Sequence, residues 1–85
     1  MLMIRGRSSK EEIALREMLR DRRKSLGLRQ TDLALSLGMP QSFVSKYESG
    51  ERLLTFVEGL VIFEALSLDI ETVAKSITSA NEAKS

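Results

Sequence analysis

The residues with chemistry to offer cluster in one short stretch. Gln41, Ser42, Phe43, Ser45 and Lys46 fall on the outer side of a short helix expected over Gln41–Ser49. Their amide, hydroxyl and ammonium groups donate and accept hydrogen bonds, but none is spaced as a nucleophile beside its base. Binding rather than turnover is the chemistry available. The chain has no Cys and no His, which excludes disulfides, the usual zinc sites, thiol chemistry and imidazole acid-base catalysis together. No catalytic residue, metal ligand or cofactor is expected, and the chain does not read as an enzyme.

Such side chains need a rigid support, and the twenty residues Gln30–Ser49, QTDLALSLGMPQSFVSKYES, supply one. One helical pattern, Gln30–Leu37, carries the apolar stripe Leu33, Ala34 and Leu37 and stops at Gly38. A second begins after Pro40, which suits the first position of a helix because its missing N–H would be unpaired there anyway. Two helices joined by so short a turn meet steeply only if the inner face is thin and the turn accepts positive φ. Ala34 meets the first need and Gly38 the second, while Val44 and Tyr47 form the buried face of the second helix. The reading is a helix-turn-helix.

The rest of the chain frames that unit. Its 85 residues, 42% of them hydrophobic, suffice for one small domain. Residues 1–9 lack periodicity and are expected as a flexible arm on which Arg5 and Arg7 could follow a phosphate backbone or enter a minor groove. Ser9 and Glu12 make an S-x-x-E capping box, so the first helix starts near Lys10 and runs to about Leu26. Leu15, Leu19, Arg23 and Leu26 share one face, which sets an arginine inside an apolar stripe. Arg23 either snorkels or pairs with a carboxylate from another helix, for which Glu48 is the candidate.

Arg29 precedes the second helix and cannot accept hydrogen bonds, so Thr31 or water is expected to serve the free amides there. Gly50 ends the third helix, and Glu51–Leu54 form a loop. Thr55 with Glu58 starts a fourth helix, TFVEGLVIFEAL, whose apolar residues cover more than half its surface. That breadth suits contact with another chain, or a central place in a small core. Asp69 caps a fifth helix, Ile70 to about Ser79, whose stripe of Ile70, Val73, Ala74 and Ile77 fits a dimer seam or a helix folded back on the core. The domain is thus expected over residues 10–79, with a flexible tail over 80–85.

Net charge is only +1, but it is polarised: residues 1–29 carry a balance of +5 and residues 53–85 a balance of −3. Such asymmetry suits a protein that turns one end toward a polyanion, and equally a solvated first helix. The apolar part of MLMIRGR is too short for a signal peptide, and no run approaches the ~20 apolar residues of a membrane span. A cytoplasmic protein with no membrane partner is expected.

Three motifs now stand in register: R-x-x-L-G-L-x-Q over Arg23–Gln30, D-L-A-x-x-L-G over Asp32–Gly38 and Q-S-x-V-S-K-Y-E-S-G over Gln41–Gly50. With them the chain, from about Leu15 to Ile77, resembles the DNA-binding domain of lambda repressor and Cro-like proteins, the XRE family. The resemblance implies an all-α, five-helix domain with the helix-turn-helix in helices two and three. It implies a buried ion pair between Arg23 and Glu48. It implies base contacts from Gln41, Ser42 and Lys46, with Phe43 able to meet a thymine methyl, and a phosphate contact from Gln30. Gln pairs bidentately with adenine and Lys donates to guanine, so the chemistry fits. Arg29, Ser45, Ser49 and Arg52 are further phosphate candidates.

The chain departs from the family pattern at Arg29 and Pro40, where Ser or Thr caps are common, and at Phe63, where a small residue is usual. Overpacking of ~1–3 kcal/mol around Phe63 is the expectation, with Gly59 one turn earlier as possible space. A dimer interface is expected from Phe63, Leu66, Ile70, Val73 and Ile77. The implied function is a sequence-specific transcriptional regulator, a repressor acting as a homodimer on operator DNA. The alternative is an antitoxin or other interaction module whose helices four and five bind a partner protein such as a toxin, DNA binding being secondary.

Overall fold

A computed structural model describes residues 9–82, and the expected arm arginines Arg5 and Arg7 and tail residues 83–85 lie outside the described residues. Five helices follow in order: α1 Lys10–Ser25, α2 Gln30–Leu37, α3 Gln41–Ser49, α4 Phe56–Ala65 and α5 Ile70–Glu82. Among the described residues there is no strand. The fifth helix runs three residues beyond the expected Ser79.

Local chemistry sets most of the boundaries. The Ser9 hydroxyl accepts from the Glu12 amide at 3.0 Å and opens α1, and Thr55 and Glu58 exchange reciprocal bonds that open α4. Asp69 accepts from the Thr72 amide at 3.2 Å at the head of α5. Pro40 stands one position earlier than expected, as the N-cap of α3, with φ −71° and ψ 155°. Its ring-fixed φ suits that extended conformation, and its carbonyl already accepts from the Phe43 amide.

At the head of α2 the Asp32 carboxylate adds a contact that was not expected: it reaches back to accept from the Arg29 amide at 2.8 Å and from the Arg29 guanidinium at 3.0–3.1 Å. The same contacts hold Asp32 below the usual carboxylate range.

Between α2 and α3, Gly38 adopts φ 68°, the left-handed conformation that the tight turn requires and that side chains with a Cβ resist. The turn brings the two helices across each other at Ala34, which is only 3% exposed. A larger side chain there would push them apart, at a typical cost of ~1–3 kcal/mol. The core joins α1, α2, α3 and α4 through Leu19, Leu33, Val44, Tyr47, Ile62 and Leu66, all under 2% exposed. Each such aliphatic burial contributes about 1.5–3 kcal/mol.

The fifth helix packs against α1, the folded-back arrangement that its stripe also allowed, and this removes Leu66 and Val73 from the expected dimer interface. Leu66 and Val73 are buried in the protomer's own interior, and Phe63 and Ile77 are half-buried; of the five expected residues, Ile70 alone is exposed. Four of the large apolar residues left on the surface, Phe56, Val57, Leu60 and Val61, lie on α4, and Met39 borders Val57 and Val61; Leu26, Leu35, Leu53 and Ile70 are exposed elsewhere. Phe63 displaces nothing at Gly59, because a Cβ built there would lie 3.7 Å from the ring, an ordinary contact distance. The expected overpacking therefore does not arise at that contact.

Candidate nucleic-acid interface

The exposed side of α3 presents Gln41, Ser42 and Lys46, with Ser45 half-buried and Ser49 exposed at its edge. Phe43 is not among them, which corrects its expected base contact. It is 7% exposed, and its ring packs edge-on to Tyr47 with centroids 5.6 Å apart. Positions 43 and 47 are one helical turn apart and so share a face, the inward one. A ring so enclosed has little surface to offer a thymine methyl.

Behind the exposed side chains runs a continuous set of hydrogen bonds. The Arg23 guanidinium donates to both Glu48 carboxylate oxygens, at 2.7 and 3.1 Å, and to the Leu28 carbonyl at 2.7 Å. Arg23 and Glu48 are 6% and 9% exposed, so the pair is buried as well as bidentate. Hydrogen bonding to Glu48 raises the Arg23 pKa further above its ordinary value, against the opposing effect of burial. Burial likewise pushes the Tyr47 phenol up, and the neighbouring Glu48 charge adds to that.

Glu48 then accepts from the Gln30 side-chain amide at 3.0 Å, and the Gln30 oxygen accepts from the Gln41 amide at 2.7 Å. The direction of this chain follows from valence. An ionised carboxylate only accepts, so Gln30 must turn its NH2 toward Glu48 and its oxygen toward Gln41. Gln41 still keeps one N–H and its own oxygen, the donor and acceptor that adenine's N7 and N6 require. Gln30 likewise keeps one N–H for an anionic oxygen. The chain therefore orients Gln41 without consuming its reading groups.

The phosphate candidates differ in what they have left. Arg29 is exposed but engaged by Asp32, with donors remaining on the outer side of the guanidinium. The Ser49 hydroxyl donates to the Lys46 carbonyl and accepts from the Glu51 amide. Arg52 is committed elsewhere: it donates to both Glu58 oxygens, at 2.7 and 2.9 Å, and to the Leu53 carbonyl. Its guanidinium also lies 4.8 Å from the Phe43 ring centroid. Through the fork and the ring Arg52 joins the end of α3 to α4.

A further arginine joins two elements of the fold. Arg22 donates to the carbonyls of Leu66 and Ser67, at 2.8 and 3.3 Å, and so ties α1 to the end of α4. Ser67 holds a left-handed φ of 56° there, an uncommon conformation for a residue with a side chain. Its position far along the sequence from Arg22 left no local signal.

A helix-turn-helix family model of the Cro/C1 type matches residues 19–75, more than half of the chain. The chain belongs to the Cro/C1-type helix-turn-helix family. In this XRE-type family α2 and α3 form the helix-turn-helix, the five-helix all-α fold is that of a lambda repressor-like domain, and the protein is a DNA-binding regulator of double-stranded DNA. The family is regulatory and generally non-enzymatic. No curated protein matches the chain. No described helix is long and apolar enough to cross a membrane.

Proposed function

We propose that this regulator reads operator DNA by laying α3 in the major groove and represses transcription by occupying the promoter. The observation that supports it most is the hydrogen-bond chain from buried Arg23 through Glu48 and Gln30 to exposed Gln41. A flexible amide held in advance by a buried anchor loses less freedom on binding. Gln41 meets adenine, Lys46 donates to guanine O6 and N7, and Ser42 accepts either partner. Gln30, Arg29, Ser45 and Ser49 take the flanking phosphates, which set the register but carry no sequence information.

Three base-reading side chains define only a few base pairs, whereas operator recognition needs roughly 4–10 kcal/mol of preference over other DNA. A second copy related by two-fold symmetry doubles the contacts and sets the two α3 helices about 34 Å apart. The exposed apolar face of α4, with Phe56, Val57, Leu60 and Val61, is the surface for that copy. Gel-shift titration at two salt concentrations tests the DNA reading, and no shift at low salt with the DNA upstream of its own gene would overturn it. Sedimentation of wild type and Val57→Glu tests the dimer. A wild-type dimer that the substitution converts to monomer is expected; a wild-type monomer that recovers a different protein through this face from its host would favour the antitoxin-like reading.

A further inference from the structure

We infer that α1 carries a second grip on the duplex, in which Arg20 and Lys24 hold the phosphodiester backbone beside the groove that α3 enters. The inference rests on the DNA-binding reading above and adds to it a contact surface outside the helix-turn-helix. An open concavity of about 300 Å3 lies where α1, α2 and α3 meet. Arg20 and Lys24 line it from α1, Gln30 from α2, and Ser45 and Ser49 from α3. Three of those five residues already belong to the proposed phosphate-holding edge, so the concavity continues that edge onto α1.

The charge arrangement calls for an anion. Arg23 and Glu48 also line the concavity, but they neutralise each other. The balance is left to Arg20 and Lys24, both exposed, and neither side chain has a hydrogen bond or ion pair among the described residues. Glu17 and Asp21 are close by in sequence but form no ion pair with them. Like charges four positions apart weaken an isolated helix rather than support it. Four residues of helix separate the two cations by about 6 Å along the axis, comparable with the step between neighbouring phosphates on one strand.

A phosphodiester accepting hydrogen bonds from Gln30 and Ser45 would sit in the concavity that those two cations line. Each phosphate neutralised releases condensed counterions, which gives the contact a signature distinct from base reading.

The test is binding of a random-sequence DNA duplex of roughly 30 base pairs, followed by fluorescence anisotropy over a salt series, with wild type, Arg20→Gln/Lys24→Gln and Lys75→Gln. The double variant is expected to unfold at the wild-type temperature or slightly above it and to bind more weakly. The slope of log affinity against log salt should fall by about 2, so that its deficit shrinks roughly tenfold between 50 and 200 mM salt. Lys75→Gln, a charge change on α5, should retain the wild-type slope. A double variant with the wild-type slope and affinity would overturn the α1 grip alone. A wild-type protein that fails to bind DNA at low salt would overturn the DNA reading and the grip together.

Discussion

Two arginine–glutamate forks hold α3 in place, and their contact geometry is nearly the same. Arg23 meets Glu48 at 2.7 and 3.1 Å; Arg52 meets Glu58 at 2.7 and 2.9 Å. They differ in setting. The side chains of the first pair are 8% and 4% exposed, and those of the second 38% and 27%. Distance alone therefore ranks them as equals, while desolvation separates them widely. Water can replace a lost partner at Arg52 far more readily than at Arg23, whose side chain is almost wholly covered. The two also differ in what lies downstream: the first leads through Gln30 to the reading side chain Gln41, and the second ends on the Phe43 ring and the α4 cap.

Breaking each pair in turn sharpens the contrast. Glu48→Gln keeps the shape of the side chain but leaves Arg23 as an uncompensated buried charge, so a loss of about 3–5 kcal/mol is expected in urea unfolding. Loss of the anchor should also weaken DNA binding in any fraction that remains folded. A destabilisation no larger than that of a surface substitution would show that burial does not distinguish the two forks.

Gly50 lies between the two forks in sequence and probes the same junction. It holds φ 89°, and a Cβ there would come within 2.8 Å of the Arg16 guanidinium carbon on α1. Gly50→Ala is expected to cost about 1–2 kcal/mol from the left-handed backbone alone, with movement of Arg16 in addition. Thermal unfolding measures it, and an unchanged midpoint would contradict the strain.

The smallest effect is expected at the exposed fork, and it depends on pH. Bonds from Arg52 and from the Thr55 amide hold Glu58 at about 2, below its ordinary 4.5. A depressed carboxylate contributes its full stability above the unfolded-state value and loses it as pH falls through the folded one. The wild type should therefore lose this contribution between about pH 4.5 and 2. Glu58→Gln should cost far less than Glu48→Gln at neutral pH and should flatten the stability profile over that acid window. Parallel profiles for the two proteins would remove Glu58 as the source.

Legibility in the sequence follows the same division between local and distant causes. The five helices, the caps at Ser9, Thr55 and Asp69 and the turn at Gly38 are set by residues within a few positions of each other, and a linear reading recovers them. Arg23 was conspicuous because an arginine inside an apolar stripe demands a partner. Phe43 was misplaced although the signal was local: Tyr47 is its neighbour one turn on, so the inward face of α3 is wider than Val44 and Tyr47 alone suggest. Asp32 at the third position of α2 was a similar missed cue.

Leu66 and Val73 could not be placed from periodicity, because an apolar stripe is the same whether it meets α1 or a second chain. Arg22 and Arg52 were likewise opaque. Their partners are set by how α4 lies against α1 and α3, which only tertiary packing decides.

The central claim is that Gln41, oriented by Gln30 and the buried pair behind it, reads a base. Selection of bound duplexes from a random DNA pool tests it most directly, run in parallel with wild type and Gln41→Ala. The expected wild-type result is an inverted repeat with one adenine preference per half-site that the variant loses while the other positions persist. An unchanged consensus from Gln41→Ala would contradict the claim.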